Sequence, residues 1–254
     1  MKIRILGSGT SSGVPRIGND WGVCDPNERR NRRTRVSALV EHGGTRILID
    51  TGPDMREQLL AANVATVDAV LWTHDHADHC HGIDDLRQLF HNQGSTVRGY
   101  ARGETLASLK ARFDYVFTGR RGYRATVTAG VLPNQMTVGP VAIACTDQPH
   151  GSILSAGLRF DADGRSIGYA TDFSAVTPAM VDLYRGVDIL VVDALRVAPH
   201  PTHPSLAEAL AFARTCQAGR TVLIHMDHSM DYATLCGTLP DGVEPGYDGL
   251  ELAL

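Results

Sequence analysis

A chain of 254 residues with 43% hydrophobic and 20% charged residues can close a core, which excludes a disordered protein, and its net charge of −4 argues against a general nucleic-acid-binding surface. No apolar run approaches the ~18 residues that a membrane-spanning helix needs, and the N-terminus reads as a strand without a signal-peptide pattern, so a single cytoplasmic domain over residues 1–254 is expected. Five cysteines, widely spaced and never paired as C-x-x-C, indicate neither a disulfide framework nor a cysteine zinc knuckle.

The first predicted strand, residues 2–6, runs into Gly7-Ser8-Gly9-Thr10-Ser11-Ser12-Gly13. Such a loop can bring backbone N–H groups close to an anion, with Ser11 as a candidate substrate contact, or it can be a flexible turn. Residues 29–35 carry five arginines in a chain with only two lysines. Guanidinium forks suit phosphate oxygens, so the run is a candidate substrate rim, although solvated loops have the same composition. A hairpin at His42-Gly43-Gly44 joins strands at 36–41 and 45–50, and the second ends in Ile49-Asp50. A helix at 54–62 and a strand at 67–72 follow. The pattern then gives a short helix from residue 82, a strand at 97–101 and one helix over 104–116. Strands at 126–131, 138–145, 155–160, 166–171 and 188–193, a helix over 205–218 and a strand at 220–224 complete the expectation. Two strand-rich halves, each closed by helices, predict an α+β fold, a four-layer αββα sandwich.

Behind the strand at 67–72 stands His74-Asp75-His76-Ala77-Asp78-His79, three histidines and two aspartates in six positions. Imidazole and carboxylate together suit zinc, manganese or iron. Alternation along an extended backbone points His74 and His76 the same way, and Asp78 and His79 then turn toward a second ion. His150, Asp172 and His225 each sit where a strand gives way to a loop. An ionised group there needs a partner, and a divalent ion is a good one. Asp50 is placed to hold a ligand histidine from behind.

These motifs, together with Thr171-Asp172-Phe173-Ser174, Leu223-Ile224-His225-Met226-Asp227-His228 and the closing Gly246-Tyr247-Asp248-Gly249-Leu250-Glu251, resemble the metallo-β-lactamase superfamily. Within it, they are similar to the phosphoribosyl cyclic phosphodiesterases of carbon-phosphorus lyase pathways. The resemblance implies two divalent ions, manganese or zinc. His74, His76 and His150 would hold one, Asp78, His79 and His225 the other, with Asp172 bridging them. It implies hydrolysis of a small cyclic phosphodiester or nucleotide-like substrate by a metal-bridged hydroxide, with His203 as the general acid and His200 as a rival for that role. Relatives of this kind hold a structural zinc with three N-terminal cysteines and a late histidine. Only Cys24 is offered here, which leaves His228 open to contact substrate phosphate. Asp75 has no ligand role in the pattern. A tRNase Z-like nuclease and a non-hydrolytic accessory protein are the alternative readings, and a homodimer is compatible with the sequence.

Overall fold

A computed structural model describes residues 1–254. Six strands of the N-terminal half form one sheet: β1 (Lys2–Gly7), β2 (Ser37–His42), β3 (Thr45–Ile49), β4 (Ala69–Trp72), β5 (Val97–Ala101) and β6 (Val127–Val131). The next seven form a second: β7 (Gln135–Val138), β8 (Val141–His150), β9 (Ile153–Ala162), β10 (Arg165–Ala170), β11 (Ile189–Asp193), β12 (Arg220–Ile224) and β13 (Val243–Pro245). The last strand, β14 (Glu251–Ala253), returns to pair with β1, so each sheet has seven strands.

Strand sequences such as Ile47-Leu48-Ile49 are apolar at every position because both sheet faces are covered. Successive side chains alternate between faces. Ile47 and Ile49 enter the core between the sheets, against residues such as Ile167 and Val191. Leu48 instead faces a second core beneath α1 (Met55–Ala61), α3 (Leu86–Gln93) and α4 (Gly103–Arg112). On the far sheet, Leu190 and Val192 meet α6 (Pro178–Tyr184) and α7 (Leu206–Cys216) through Met180 and Phe212. The result is the four-layer α+β sandwich. The shorter helices are α2 (Ala77–Cys80), α5 (Asp114–Thr118) and α8 (Tyr232–Thr238).

Local chemistry accounts for several boundaries. The start of α7 is a capping box: Ser205 accepts from the Glu208 N–H, and the Glu208 carboxylate accepts from the Ser205 N–H. Three expectations need correction. The single helix over 104–116 is broken at Phe113 (φ −124°, ψ 38°) into α4 and α5. The strand over 138–145 is a hairpin, because Gly139, at φ +55°, turns the chain between β7 and β8. Nor does that strand stop at residue 145, since β8 runs on through Pro149 and ends on His150 itself, paired with Ile153. The helices α6 and α8 were not expected. Each is seven residues long, too short for a clear periodic signal, though each has its cap: Thr177 before Pro178, and Asp231 accepting from the Thr234 N–H.

Within the arginine run, Arg33 alone folds inward, while Arg29, Arg30 and Arg32 stay exposed. Arg33 is 2% exposed. Its guanidinium donates to the carbonyls of Asp227 (3.2 Å) and Met230 (2.6 Å) and to Asn31 Oδ1 (3.3 Å), and lies 3.9 Å from Cys24 Sγ. Arg30 pairs with Glu28 and covers the Tyr232 ring, while Arg32 covers Trp21. These three arginines tie loops together rather than forming a substrate rim.

Candidate metal centre and active site

The polar side chains of interest sit just past the C-terminal ends of strands from both sheets, where the sandwich opens. Asp50 follows β3, His74 follows β4, Asp172 follows β10 and His225 follows β12, while His150 ends β8 and Asp193 ends β11. Asp50, Asp172 and His225 have φ of 63°, 52° and 59°. Left-handed backbone is costly away from glycine and persists where neighbours enforce it. At Asp172 the enforcement is visible: its carbonyl accepts from the Ser155 hydroxyl (2.7 Å) and its N–H donates to Asp193 Oδ2 (3.2 Å).

On the first sheet the loop after β3 is laced to α2. The Thr51 N–H donates to the His79 carbonyl, and the Gly82 N–H donates to the Thr51 carbonyl, each at 2.8 Å. A Cβ on Gly52 would stand 2.3 Å from the Asp78 carbonyl oxygen, so only glycine allows this approach. Asp50, fully buried, accepts from the Thr73 N–H (2.7 Å), the Thr73 hydroxyl (2.8 Å) and His79 Nδ1–H (2.7 Å). The carboxylate thereby fixes His79 with its Nε2 lone pair facing inward. Burial pushes the Asp50 carboxyl above its ordinary range, partly opposed by His79 and Thr73.

The imidazoles gather around one carboxylate. Asp172 Oδ2 lies 3.7 Å from His74 Nε2, 3.6 Å from His150 Nε2 and 3.7 Å from His225 Nε2, and Oδ1 lies 3.3 Å from His79 Nε2. His76 joins the first group, its Nδ1 being 3.2 Å from His150 Nε2. Asp78 joins the second, with Oδ2 3.4 Å from His79 Nε2 and 3.5 Å from His225 Nε2. His150 Nδ1–H donates to the Thr202 carbonyl at 2.9 Å, which turns its Nε2 into the cluster.

Metal ions fit this arrangement. The Nε2 atoms of His74, His79 and His225 are buried without a hydrogen-bond partner, although buried polar atoms are rarely left so. His74, His76, His150 and Asp172 form one group able to hold an ion, and Asp78, His79 and His225 form another. Electrostatics agree with a cation site. Burial works against charge on His225, but Asp172, Asp193 and Asp78 outweigh it and push the imidazole up to about 9. Burial likewise opposes ionisation of Asp78, yet His79 and His225 hold it well below the usual carboxylate range. His150, where burial dominates, is pushed down to about 4.

A cleft of about 190 Å³ opens over the cluster, walled by Ser11, His76, Asp78, Ser152 and His203 among others. His203 donates from Nδ1 to Asp193 Oδ2 (2.8 Å) and stacks 4.7 Å from the His225 ring. His200 lies beside it, 5.2 Å between ring centroids, with Nδ1 accepting from the Thr202 N–H at 3.3 Å, and does not line the cleft. His228 also lies outside the cleft lining, against Arg16 and packed on Gly22. Asp75 turns away from the imidazoles to Ser108 and Arg112. Sequence reasoning missed Asp193, the carboxylate behind His203. Its signal was present: Ile189-Leu190-Val191-Val192-Asp193 has the form of Ile47-Leu48-Ile49-Asp50, an apolar strand ending on aspartate.

Comparison with known proteins agrees with this geometry. Residues 45–226 match the model of the beta-lactamase superfamily domain. The crystal structure described as a new diphosphatase from the PhnP family superposes with a TM-score of 0.91 at 36% identity, covering 100% of this chain and 97% of that one. Zinc-bound PqqB from Methylobacterium extorquens shares the fold, with a TM-score of 0.83 at 21% identity over the full length of both chains. An octanoyltransferase of Porphyromonas gingivalis is 33% identical over 99% of this chain, which spans about half (51%) of that protein's length. With its matching family model, its two-sheet sandwich and its paired histidine–aspartate groups, the chain belongs to the metallo-β-lactamase superfamily of hydrolases and resembles its PhnP branch.

Proposed function

We propose that the protein is a dinuclear-metal-dependent phosphodiesterase that hydrolyses a small, in particular cyclic, phosphodiester such as a ribose cyclic phosphate or nucleotide. The observation that carries this reading is the Asp172 carboxylate, which lies 3.3–3.7 Å from imidazole nitrogens of both donor groups. His74, His76 and His150 would hold one ion, Asp78, His79 and His225 the other, and Asp172 would contact both. When bound, two such ions, manganese or zinc, supply an activated water near neutral pH and neutralise phosphoryl oxygens.

The chain's own residues do the rest. Asp50 orients His79, and the Thr202 carbonyl orients His150. Asp193 fixes the His203 ring through Nδ1, leaving Nε2 on the cleft side. As water oxygen bonds to phosphorus and the ester P–O bond breaks, the departing alkoxide needs a proton, and in this reading His203 Nε2 would give it. Asp78 serves twice in this reading, as a metal donor and as part of the cleft wall.

The test is metal analysis coupled to a substrate panel: bis-4-nitrophenyl phosphate, ribose 1,2-cyclic phosphate, 2′,3′-cyclic nucleotides and precursor transfer RNA. Turnover of the small diesters with two ions per chain is expected. Preference for the RNA would instead make this a tRNase Z-like nuclease. No turnover of any phosphodiester by the loaded protein would favour the accessory reading. A second reading, cleavage of a phosphoanhydride, is favoured by the 36% identical structure named as a diphosphatase, and a dinucleoside diphosphate added to the panel tests it.

A further inference from the structure

His74, His76, Asp78 and His79 come from one short segment, and the imidazoles of the cluster are held unequally. His79 Nδ1–H donates to Asp50 at 2.7 Å, His150 Nδ1–H donates to the Thr202 carbonyl at 2.9 Å, and His74 Nδ1 has the Thr73 hydroxyl at 3.1 Å. His76 has no such partner. Its Nδ1 faces His150 Nε2 at 3.2 Å, on the cluster side, while its Nε2 makes no hydrogen bond and the residue is exposed. The direction of this donor therefore depends on the backbone that carries it.

That backbone is gripped from outside the site, by α4. The Asp75 carboxylate accepts from the Ser108 hydroxyl and from Arg112 Nη1 (3.5 Å). The Asp75 carbonyl accepts from the same Nη1 and from Cys80 Sγ (3.3 Å). Arg112 Nη2 in turn donates to His81 Nε2 at 2.6 Å. One guanidinium thus spans both ends of the segment, residues 75 and 81, with His76, Asp78 and His79 between them. The break after α4 contributes to the grip. Phe113, the residue that leaves helical geometry, sets its ring edge-on to His81, 5.8 Å between centroids at 81°, and lies beneath the Arg112 guanidinium at 5.3 Å. A rigid planar fork suits such a two-point grip better than a flexible ammonium. Partners that fix a donor's direction typically account for about 10–100-fold in metal affinity.

We infer that Arg112 is a positioning residue for the metal centre, acting through Asp75 and His81 to aim His76 at the ion it would share with His74 and His150. This rests on the dinuclear reading above and needs no assumption about the substrate. Successive dissociation constants for zinc are measured on the full chain by competition with a metal-binding dye, and the visible spectrum of the cobalt(II)-loaded protein reports the geometry around the ions. Arg112→Gln should weaken one of the two constants at least about tenfold, leave the other nearly unchanged and alter the cobalt spectrum. Arg112→Lys, which can reach one partner but not both, should fall between. His76→Ala should weaken the same constant, and adding Arg112→Gln to it should bring no further loss, because the two changes act on one interaction. A role confined to holding the fold together would show instead as additive losses and a lower melting temperature of the metal-free chain. Should Arg112→Gln not fold, Ser108→Ala, which removes a single bond to Asp75, should give a smaller loss of the same constant. Unchanged constants and spectrum in folded Arg112→Gln, or in Ser108→Ala where that variant stands in for it, overturn the assignment, as does the same loss repeated in the His76→Ala background. The coupling intact, with no phosphoester turned over, overturns the proposed reaction and leaves the grip of Arg112 standing.

Discussion

Asp50 and Asp193 stand at matching corners of the two sheets and are engaged differently. Each ends an apolar strand and is fully buried. Asp50 is saturated by Thr73 and by His79, a metal-donor candidate. Asp193 is more loosely held: Oδ2 accepts from His203 and from the Asp172 N–H, while Oδ1 has no hydrogen-bond partner and lies 3.7 Å from His225 Nδ1. One corner grips a donor of the metal cluster, and the other grips the histidine that faces the cleft. In the proposed reading, the same strand-end aspartate would serve metal binding in one sheet and proton delivery in the other, according to which imidazole reaches it.

The largest expected effect lies between the corners. Asp172→Ala removes the carboxylate that meets both donor groups and should lower bound metal from two ions to one or none, with turnover down roughly 1000-fold or more. Elemental analysis checks it, and two retained ions per chain would remove Asp172 from the bridging role. Next, Asp50→Asn should weaken metal affinity roughly 10–100-fold, because it loosens His79. Asp193→Asn should act mainly on turnover. Competition with a metal-binding dye compares the pair, and equal losses of affinity would break the contrast between the corners.

His203→Ala sharpens the second corner. It should keep both ions and lose roughly 100-fold or more on ribose cyclic phosphate, whose leaving oxygen needs a proton. The loss on bis-4-nitrophenyl phosphate should be smaller, and equal losses on both would remove the acid role.

The smallest effect belongs to a third aspartate, away from the imidazoles. Asp248 accepts from the N–H and hydroxyl of both Ser8 and Thr34, and burial still pushes its carboxyl up to about 6. The folded state thus holds a proton more tightly than the unfolded chain, whose carboxyl titrates near 3.9. Stability from this group should fall as pH rises from about 4 to about 6 and level off above, with a slope of at most about 1.4 kcal/mol per pH unit. Asp248→Asn should flatten that slope, as melting curves across the window would show.

The contrast also explains what could be read without coordinates. The cluster at 74–79 was legible because its donors lie within one loop and a four-residue helix. His150, Asp172 and His225 were legible as strand ends, since an ionisable group after an apolar run needs a reason. Asp193 satisfied the same rule, but its partner His203 is brought near only by the loop after β11, which returns to the end of that strand. The inward fold of Arg33 was hidden for the opposite reason. Arg33 finds its acceptors at Asp227 and Met230, backbone carbonyls that carry no sequence signal.

Arg33 has a consequence for stripped protein. Its guanidinium is a cation covalently attached to the chain, and it ties residues 31–33 to a loop that begins two residues after His225. A chelator can withdraw ions from the imidazole cluster, but it cannot withdraw this charge. The loop beside His225 should therefore outlast demetallation, leaving that imidazole in place in the apo form to recapture an ion.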